Sequence, residues 1–298
     1  MTSRGKDQTR TSYIKNSSRG FVVGTRILFC CCTLLSHSIA CYCYCCKPVV
    51  SLIMKLIVLF SKGGLGDVGR HAIRAALDQP TKIEHITVLS QHAESLKDDN
   101  WNCGCQSSVH KFTDEEQQRL SIVQVESWDD ESLLTHFEGA GAVISCLGNR
   151  QITLGDRVGG EGSRMVAKAM NLHKIERAVI ISSMGIGDDW PPGEFHWGGK
   201  VMTLIFLTCG RADYKDLTMV EETFHFSSDI DYLLVRAAGL GEDVVPQGKW
   251  AVQKEKHKDD KSLDINLAKL DCARFMVEEA VNPTMHKTAA VLGGQFEI

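Results

Sequence analysis

Apolar positions along this chain come in short blocks separated by polar stretches. The run LIVLF at 56–60 has the length of a strand buried on both faces, and it stops at Ser61. After a glycine-rich stretch, Ala72, Ile73, Ala75, Ala76 and Leu77 recur at helical spacing until Pro80 ends the pattern. Apolar runs at 85–90, 121–126, 142–146, 177–182, 230–236 and 288–292 predict six more strands. Helical patterns fall at 132–137, where Asp129 is placed to cap, and at 162–173 and 265–280. A longer helical stretch, 197–228, is broken near Cys209 and Gly210. Strand and helix alternate from Met54 to the end, the pattern that builds a parallel sheet with helices on both faces.

The stretch around which this alternation is organised is MKLIVLFSKGGLGDVGRHAIRAAL. Gly63, Gly66 and Gly69 fall at three-residue spacing between a strand and a helix. Glycines let the backbone turn tightly and approach a ligand, and the first helical turn offers free N–H groups and the positive end of the helix dipole. That geometry suits a pyrophosphate; the plainer alternative is a strand–turn–helix with no ligand. The expected contacts are Lys62, Gly63, Gly66, Asp67, Val68 and Gly69.

The GxxGxxG spacing resembles the glycine motif of the atypical short-chain dehydrogenase/reductases, the group with flavin reductase-like and NmrA-like members. Gly64 and Leu65 stand where those proteins often carry Ala and Thr. The segments VQVESWDDESLLTHFEGAGAVISCLG, ERAVIISSMGIGDD and DIDYLLVRAAGL resemble the same family. The resemblance implies a Rossmann-like doubly wound parallel sheet in three α/β/α layers, over residues 54–298, with substrate-side elements toward the C-terminus. It also implies a nicotinamide cofactor. By this resemblance Glu126 sits where the family has an Asp beside the adenine, Val125 where it has Gly, and Ser182, Ser183 and Gly185 where it ends a strand in two serines and a glycine. Gly148, at the end of the fourth strand, lets a cofactor lie close to the backbone or makes a simple turn.

The end of the second strand meets the adenosine ribose in such folds, where an acid favours NAD and a base NADP. Here Ser90, Gln91 and His92 are uncharged, and Lys62 can supply a positive charge, so NADP is expected over NAD. Many members of the superfamily reduce carbonyls with Ser, Tyr and Lys. No Tyr stands four residues before a Lys in the right region of this chain; instead Ser183, His196 and Lys200 reproduce the spacing with His in place of Tyr. The alternative is a surface His beside a helix start. The expectation is an NADPH-dependent reductase of a small carbonyl, quinone or flavin-like acceptor. A cofactor-sensing scaffold of NmrA-like type, and a sugar-nucleotide or ether reductase, are the competing readings.

Composition changes this picture little beyond the first fifty residues. The chain has 298 residues, 43% of them hydrophobic, with formal net charge −4. With a pI near 6.3 and no basic face in its body, it gives no reason to invoke nucleic acid. Residues 1–53 differ in kind: Arg4, Lys6, Arg10, Lys15, Arg19 and Arg26 precede an apolar, cysteine-rich run at 27–46. That order resembles a targeting or anchoring segment, although Ser36, His37 and Ser38 interrupt it; the other reading is an inert extension before Met54. Membrane contact is expected only if this segment is retained, and a cytoplasmic location otherwise. Seven of the twelve cysteines lie there, without the spacing of a zinc site. The remaining five, Cys103, Cys105, Cys146, Cys209 and Cys272, are scattered and odd in number, which argues for a reducing compartment. Cys103, Cys105 and His110 lie in a polar stretch, 97–113, read as a surface loop, and no metal is expected. The charged stretch 247–262 is read as a solvated loop.

Overall fold

The computed structural model describes residues 53–62, 65, 67–96, 112–148, 158–186, 204, 208–241, 244–253, 263–264 and 266–295. Among the described residues ten strands run in chain order: β1 Met54–Phe60, β2 Ile83–Ser90, β3 Leu120–Gln124, β4 Ala140–Cys146, β5 Arg177–Ser183, β6 Asp231–Ala237, β7 Leu240–Gly241, β8 Ala251–Gln253, β9 Leu267–Ala268 and β10 Thr288–Gly293. The α-helices are α1 Asp67–Leu77, α2 Asp114–Gln118, α3 Gly159–His173, α4 Arg211–His225 and α5 Lys269–Val281.

Eight strands form one sheet in the order β3-β2-β1-β4-β5-β6-β10-β8, parallel except for the β10–β8 pair; β7 and β9 form a separate parallel pair. The order reverses direction between β1 and β4, the switch point at which open α/β sheets form a ligand crevice outside the carboxyl ends of their strands.

The apolar run of β1 is needed because both faces of the sheet are covered. Leu56, Val58 and Phe60 face α1 and α5, packing in one cluster with Val68, Ala72, Ile73, Cys272, Met276 and Val277. Ile57 and Leu59 face the other way, into a cluster with Val166 and Met170 of α3, Val220 and Phe224 of α4, and Trp128 and Phe137. The result is the doubly wound, three-layer arrangement that the alternation predicts.

Several boundaries differ from the sequence reading, each for a tertiary reason. The third strand ends at Gln124 rather than Glu126, as Val125 turns inward and its N–H bonds to Ser90 O at 2.9 Å. Asp130, not Asp129, caps the segment that follows, which is a 3-10 helix, Glu131–Phe137. Helix α3 begins three residues early, at Gly159, because Asp216 of α4 accepts from the N–H groups of Gly159 and Gly160 at 3.0 and 2.8 Å. Helix α5 starts at Lys269 since Leu267 and Ala268 pair with β7. Helix α2, unforeseen, is nucleated by a capping box between Thr113 and Glu116. Part of the stretch read as a solvated loop is the edge strand β8. Residues 1–52, the stretch with Cys103, Cys105 and His110, and Gly63, Gly66, His196 and Lys200 lie outside the described residues. Among the described residues no helix is long and apolar enough to cross a membrane.

Candidate cofactor-binding site

The crevice is floored by a side chain. Ser61, buried directly after β1, donates its hydroxyl hydrogen to Gly148 O at 3.1 Å, and its oxygen accepts from Gly148 N at 3.2 Å. This pair continues the β1–β4 ladder one step past Phe60 and Cys146. Gly148 has φ +139, a conformation side chains rarely adopt, and an added Cβ would meet Leu217 Cδ2 at 3.0 Å. On the other wall, a Cβ on Gly69 would stand 2.3 Å from Phe60 Cβ, so only glycine lets α1 lie this close to β1. The two glycines serve close packing, of α1 on β1 and of the end of β4 against Leu217. These residues fit a dinucleotide: α1 begins at Asp67, close beyond the carboxyl end of β1, so the free N–H groups of its first turn start at that edge of the sheet.

The predicted contacts divide. Lys62 is exposed at the mouth, and Val68, whose N–H bonds to Leu65 O at 3.1 Å, is buried under the turn. The Asp67 carboxylate is held by Arg70 at 3.0 Å and by Lys269, at the start of α5, at 2.9 Å. Ser90 is a correction. Its hydroxyl donates to Phe60 O at 2.8 Å and accepts from His92 N at 3.0 Å, and the residue is wholly buried, so it ties β2 to β1 instead of meeting a phosphate. Gln91 and Glu126 come together beyond these strands, Gln91 Nε2 lying 3.4 Å from Glu126 O; the Glu126 side chain is exposed.

Ser182 is a second correction. Its hydroxyl donates to Glu221 Oε1 at 2.6 Å, and Glu221 is clasped by Arg236 through Nε at 3.0 Å and Nη2 at 2.5 Å, all of it buried. Ser183 points to the opposite face of the sheet, its hydroxyl 3.3 Å from Met184 O, a long contact that leaves its donor weakly held. Sequence reasoning missed Ser61, Asp216, Glu221, Arg236 and Lys269. An Arg at the end of an apolar strand was a usable signal, since a buried guanidinium requires an acid.

Burial shapes the titration of this edge. His71, on the second turn of α1, has its pKa pulled down to about 4, chiefly by burial and then by Lys269. Burial pushes Asp216 up, with Asp213 and Glu161 adding to the shift and the two N–H bonds opposing it. The buried thiols of Cys146 and Cys272 are likewise pushed up, the latter to about 12, which leaves them inert.

A strand-order reversal beside a helix that packs on the central strand through Gly69 is the place where α/β proteins bind dinucleotides. The family model described as NAD(P)H-binding matches residues 63–283. The chain therefore belongs to the NAD(P)H-binding family, with the fold of the atypical short-chain dehydrogenase/reductases. Among curated proteins none matches it by sequence. Solved structures with a similar fold include an anaerobilin reductase from Escherichia coli at 20% identity and TM-score 0.56, covering 82% of this chain and 98% of that one. A short-chain dehydrogenase/reductase from Veillonella parvula in complex with NADP is 13% identical, with TM-score 0.55 and coverage of 80% and 94%. An oxidoreductase from Lactococcus lactis is also 13% identical, with TM-score 0.55 and coverage of 81% and 91%. At these identities the likeness is one of fold.

Proposed function

We propose that the protein is a reductase that uses NADPH to reduce a small carbonyl, quinone or flavin-like acceptor. The observation that carries this reading is the crevice between β1 and β4, closed at its base by Ser61 and Gly148 and flanked by α1, which Gly69 lets pack on Phe60. When bound, the nicotinamide supplies the hydride. The N–H groups at the start of α1 orient the dinucleotide, and Lys62, with the uncharged Gln91 and His92, favours a 2′-phosphate where a carboxylate would oppose it. Ser183, at the end of β5 and buried in the unliganded fold, is the hydroxyl proposed to donate a hydrogen bond to an acceptor oxygen. His196 and Lys200 complete the proposed set, with solvent as the proton source, since a neighbouring ammonium disfavours a protonated imidazole. The NADP-bound and reductase relatives support this reading at the level of fold.

The competing reading, a sensor that binds NADPH and transfers no hydride, is favoured by one observation: Ser182, the other hydroxyl at this strand end, is held by Glu221. Titration of the full chain should show NADPH binding on the order of tenfold tighter than NADH, the worth of one charge-assisted phosphate contact. Equal or tighter NADH binding removes the NADPH assignment. Steady NADPH consumption with a panel of carbonyl, quinone and flavin acceptors supports the reductase; tight binding without consumption supports the sensor.

A further inference from the structure

The turn after β2 is held by a side chain that behaves as a peptide group would. Ser90 and Gln124 pair at the ends of β2 and β3, and the Val125 N–H reaches Ser90 O at 2.9 Å. One step further the primary amide of Gln124 takes over the seam: Nε2 donates to Gln91 O at 2.9 Å, and Oε1 accepts from Ala93 N at 3.2 Å. From the β1 side, the Ser90 hydroxyl accepts from His92 N at 3.0 Å. The backbone of 91–93 is thus fixed from two directions in the unliganded fold, which leaves little ordering to be done when a ligand arrives. Since the N–H groups of His92 and Ala93 are both used in this way, a phosphate approaching the turn is met by side chains. Gln91 and His92 are half-buried there, and the Gln91 Nε2 contact with Glu126 O, at 3.4 Å, is long enough to yield to a charged oxygen. Glu94 makes the placement matter. Its Oε1 lies 3.9 Å from His92 Nδ1, so an acid stands two residues beyond His92, and an acid at the ribose favours NADH over NADPH. Gln124 itself is exposed on β3, the first strand of the sheet order, where packing alone does not order a side chain.

We propose that Gln124 is a positioning residue for the adenosine end of the cofactor: it fixes the 91–93 turn so that Gln91 and His92, and not Glu94, meet the ribose 2′ position, and it thereby sustains the preference for NADPH over NADH. This rests on the NADPH reading of the crevice. It adds to that reading a residue of the edge strand β3, which acts through the turn and not by contact with the nucleotide.

The test is isothermal titration of the full chain and of Gln124→Met with NADPH, NADH, 2′,5′-ADP and 5′-AMP; the last two differ by the 2′-phosphate alone and need no nicotinamide pocket. Met keeps the length of Gln and removes both amide bonds, and the exposed position should leave the variant folded. Gln124→Met should weaken NADPH and 2′,5′-ADP on the order of fivefold and leave NADH and 5′-AMP within about twofold of wild type. Adding Glu94→Gln to Gln124→Met should recover most of the lost NADPH affinity, because no acid is then left to swing toward the ribose. A merely structural role predicts otherwise: Gln124→Met would lower the urea midpoint and keep all four affinities in their wild-type proportions. A preference for 2′,5′-ADP over 5′-AMP that survives in Gln124→Met, or a loss that Glu94→Gln does not recover, overturns the inference and leaves the NADPH reading standing. Wild-type chain that binds 2′,5′-ADP no more tightly than 5′-AMP overturns both together.

Discussion

Two buried arginines sit on neighbouring central strands at opposite ends of the sheet, and their surroundings differ. Arg177 opens β5 and is clamped largely by the chain itself: Nε donates to Glu279 O at 3.0 Å and Nη1 to Met285 O at 2.9 Å. Asp231 and the Glu279 carboxylate add ion pairs at 3.1 and 3.2 Å. One guanidinium thus fixes the start of β6, the end of α5 and the approach to β10. Arg236 closes β6 at the carboxyl edge, where its Nε and Nη2 clasp the Glu221 carboxylate, which in turn holds Ser182. The first edge is stitched through backbone carbonyls and has little freedom. The second is held by side chains, and it also carries Asp67, Lys269, His71 and Asp216 beside the crevice. The contrast shows where the fold ties its segments through backbone carbonyls and where it ties them through pairs of side chains.

The largest test of this contrast is to remove each arginine. Arg177→Met takes the guanidinium from two carbonyls and two carboxylates, of which Glu279 keeps the N–H groups of Thr284 and Met285 and Asp231 that of Lys287; it should cost about 3–5 kcal/mol in urea unfolding, with NADPH affinity within twofold of wild type. Arg236→Met leaves one carboxylate that still receives the Ser182 hydroxyl. It should cost about 2–3 kcal/mol and should shift NADPH affinity by more than twofold. Equal losses of stability, with neither variant affecting nucleotide binding, would erase the distinction between the edges.

A second test concerns pH at the crevice edge. The folded pKa of His71, about 4, lies below the ordinary 6.5, so as the pH falls the unfolded chain takes up a proton first. Stability present above 6.5 should be lost progressively toward pH 4, by about 3 kcal/mol from this group. His71→Gln should flatten the stability profile over that window, and an unchanged slope would show that His71 titrates normally.

Asp216 should act in the opposite sense and more weakly. Its folded pKa is raised, so the folded chain binds the proton first, and stability increases as the pH falls through that raised value toward the ordinary Asp range. Relative to Asp216→Asn, the wild type should therefore gain stability on acidification. A gap that widens the other way would mean that the N–H bonds of Gly159 and Gly160 outweigh burial.

The fold was legible because parallel strands covered on both faces require unbroken apolar runs, and Leu56, Val58 and Phe60 have no other use. The role of Gly69 could be read as a turn, but its contact with Phe60 is a matter of helix–strand distance that no local pattern encodes. Ser90 and Ser182 were misread because polar residues at strand ends look like ligand contacts. Strand alternation gave the better clue: Ser182 shares the face of Ala178 and Ile180, which points at α4. Helix α4 held a matching clue, for Asp213, Asp216 and Glu221 fall on the same helical stripe as Leu217, Val220 and Phe224, so three acids were destined for burial. The tie between Asp67 and Lys269 left no local trace, since its partners meet only through the packing of α1 on α5.

The three residues of β8 have a consequence outside the crevice. They run antiparallel along β10 and form that rim of the main sheet. Without them the rim would be β10 itself, an aliphatic ribbon through Ala289, Ala290, Val291 and Leu292 with one row of N–H and C=O groups unpaired. Such a ribbon templates strands from other molecules. A short, reversed strand, followed in the sequence by Lys254, Glu255 and Lys256, offers newcomers a poor template. Val252 and Ala251 only lie against the margins of the core, half-buried, so loss of the segment should show as self-association at high protein concentration as well as a lower unfolding midpoint.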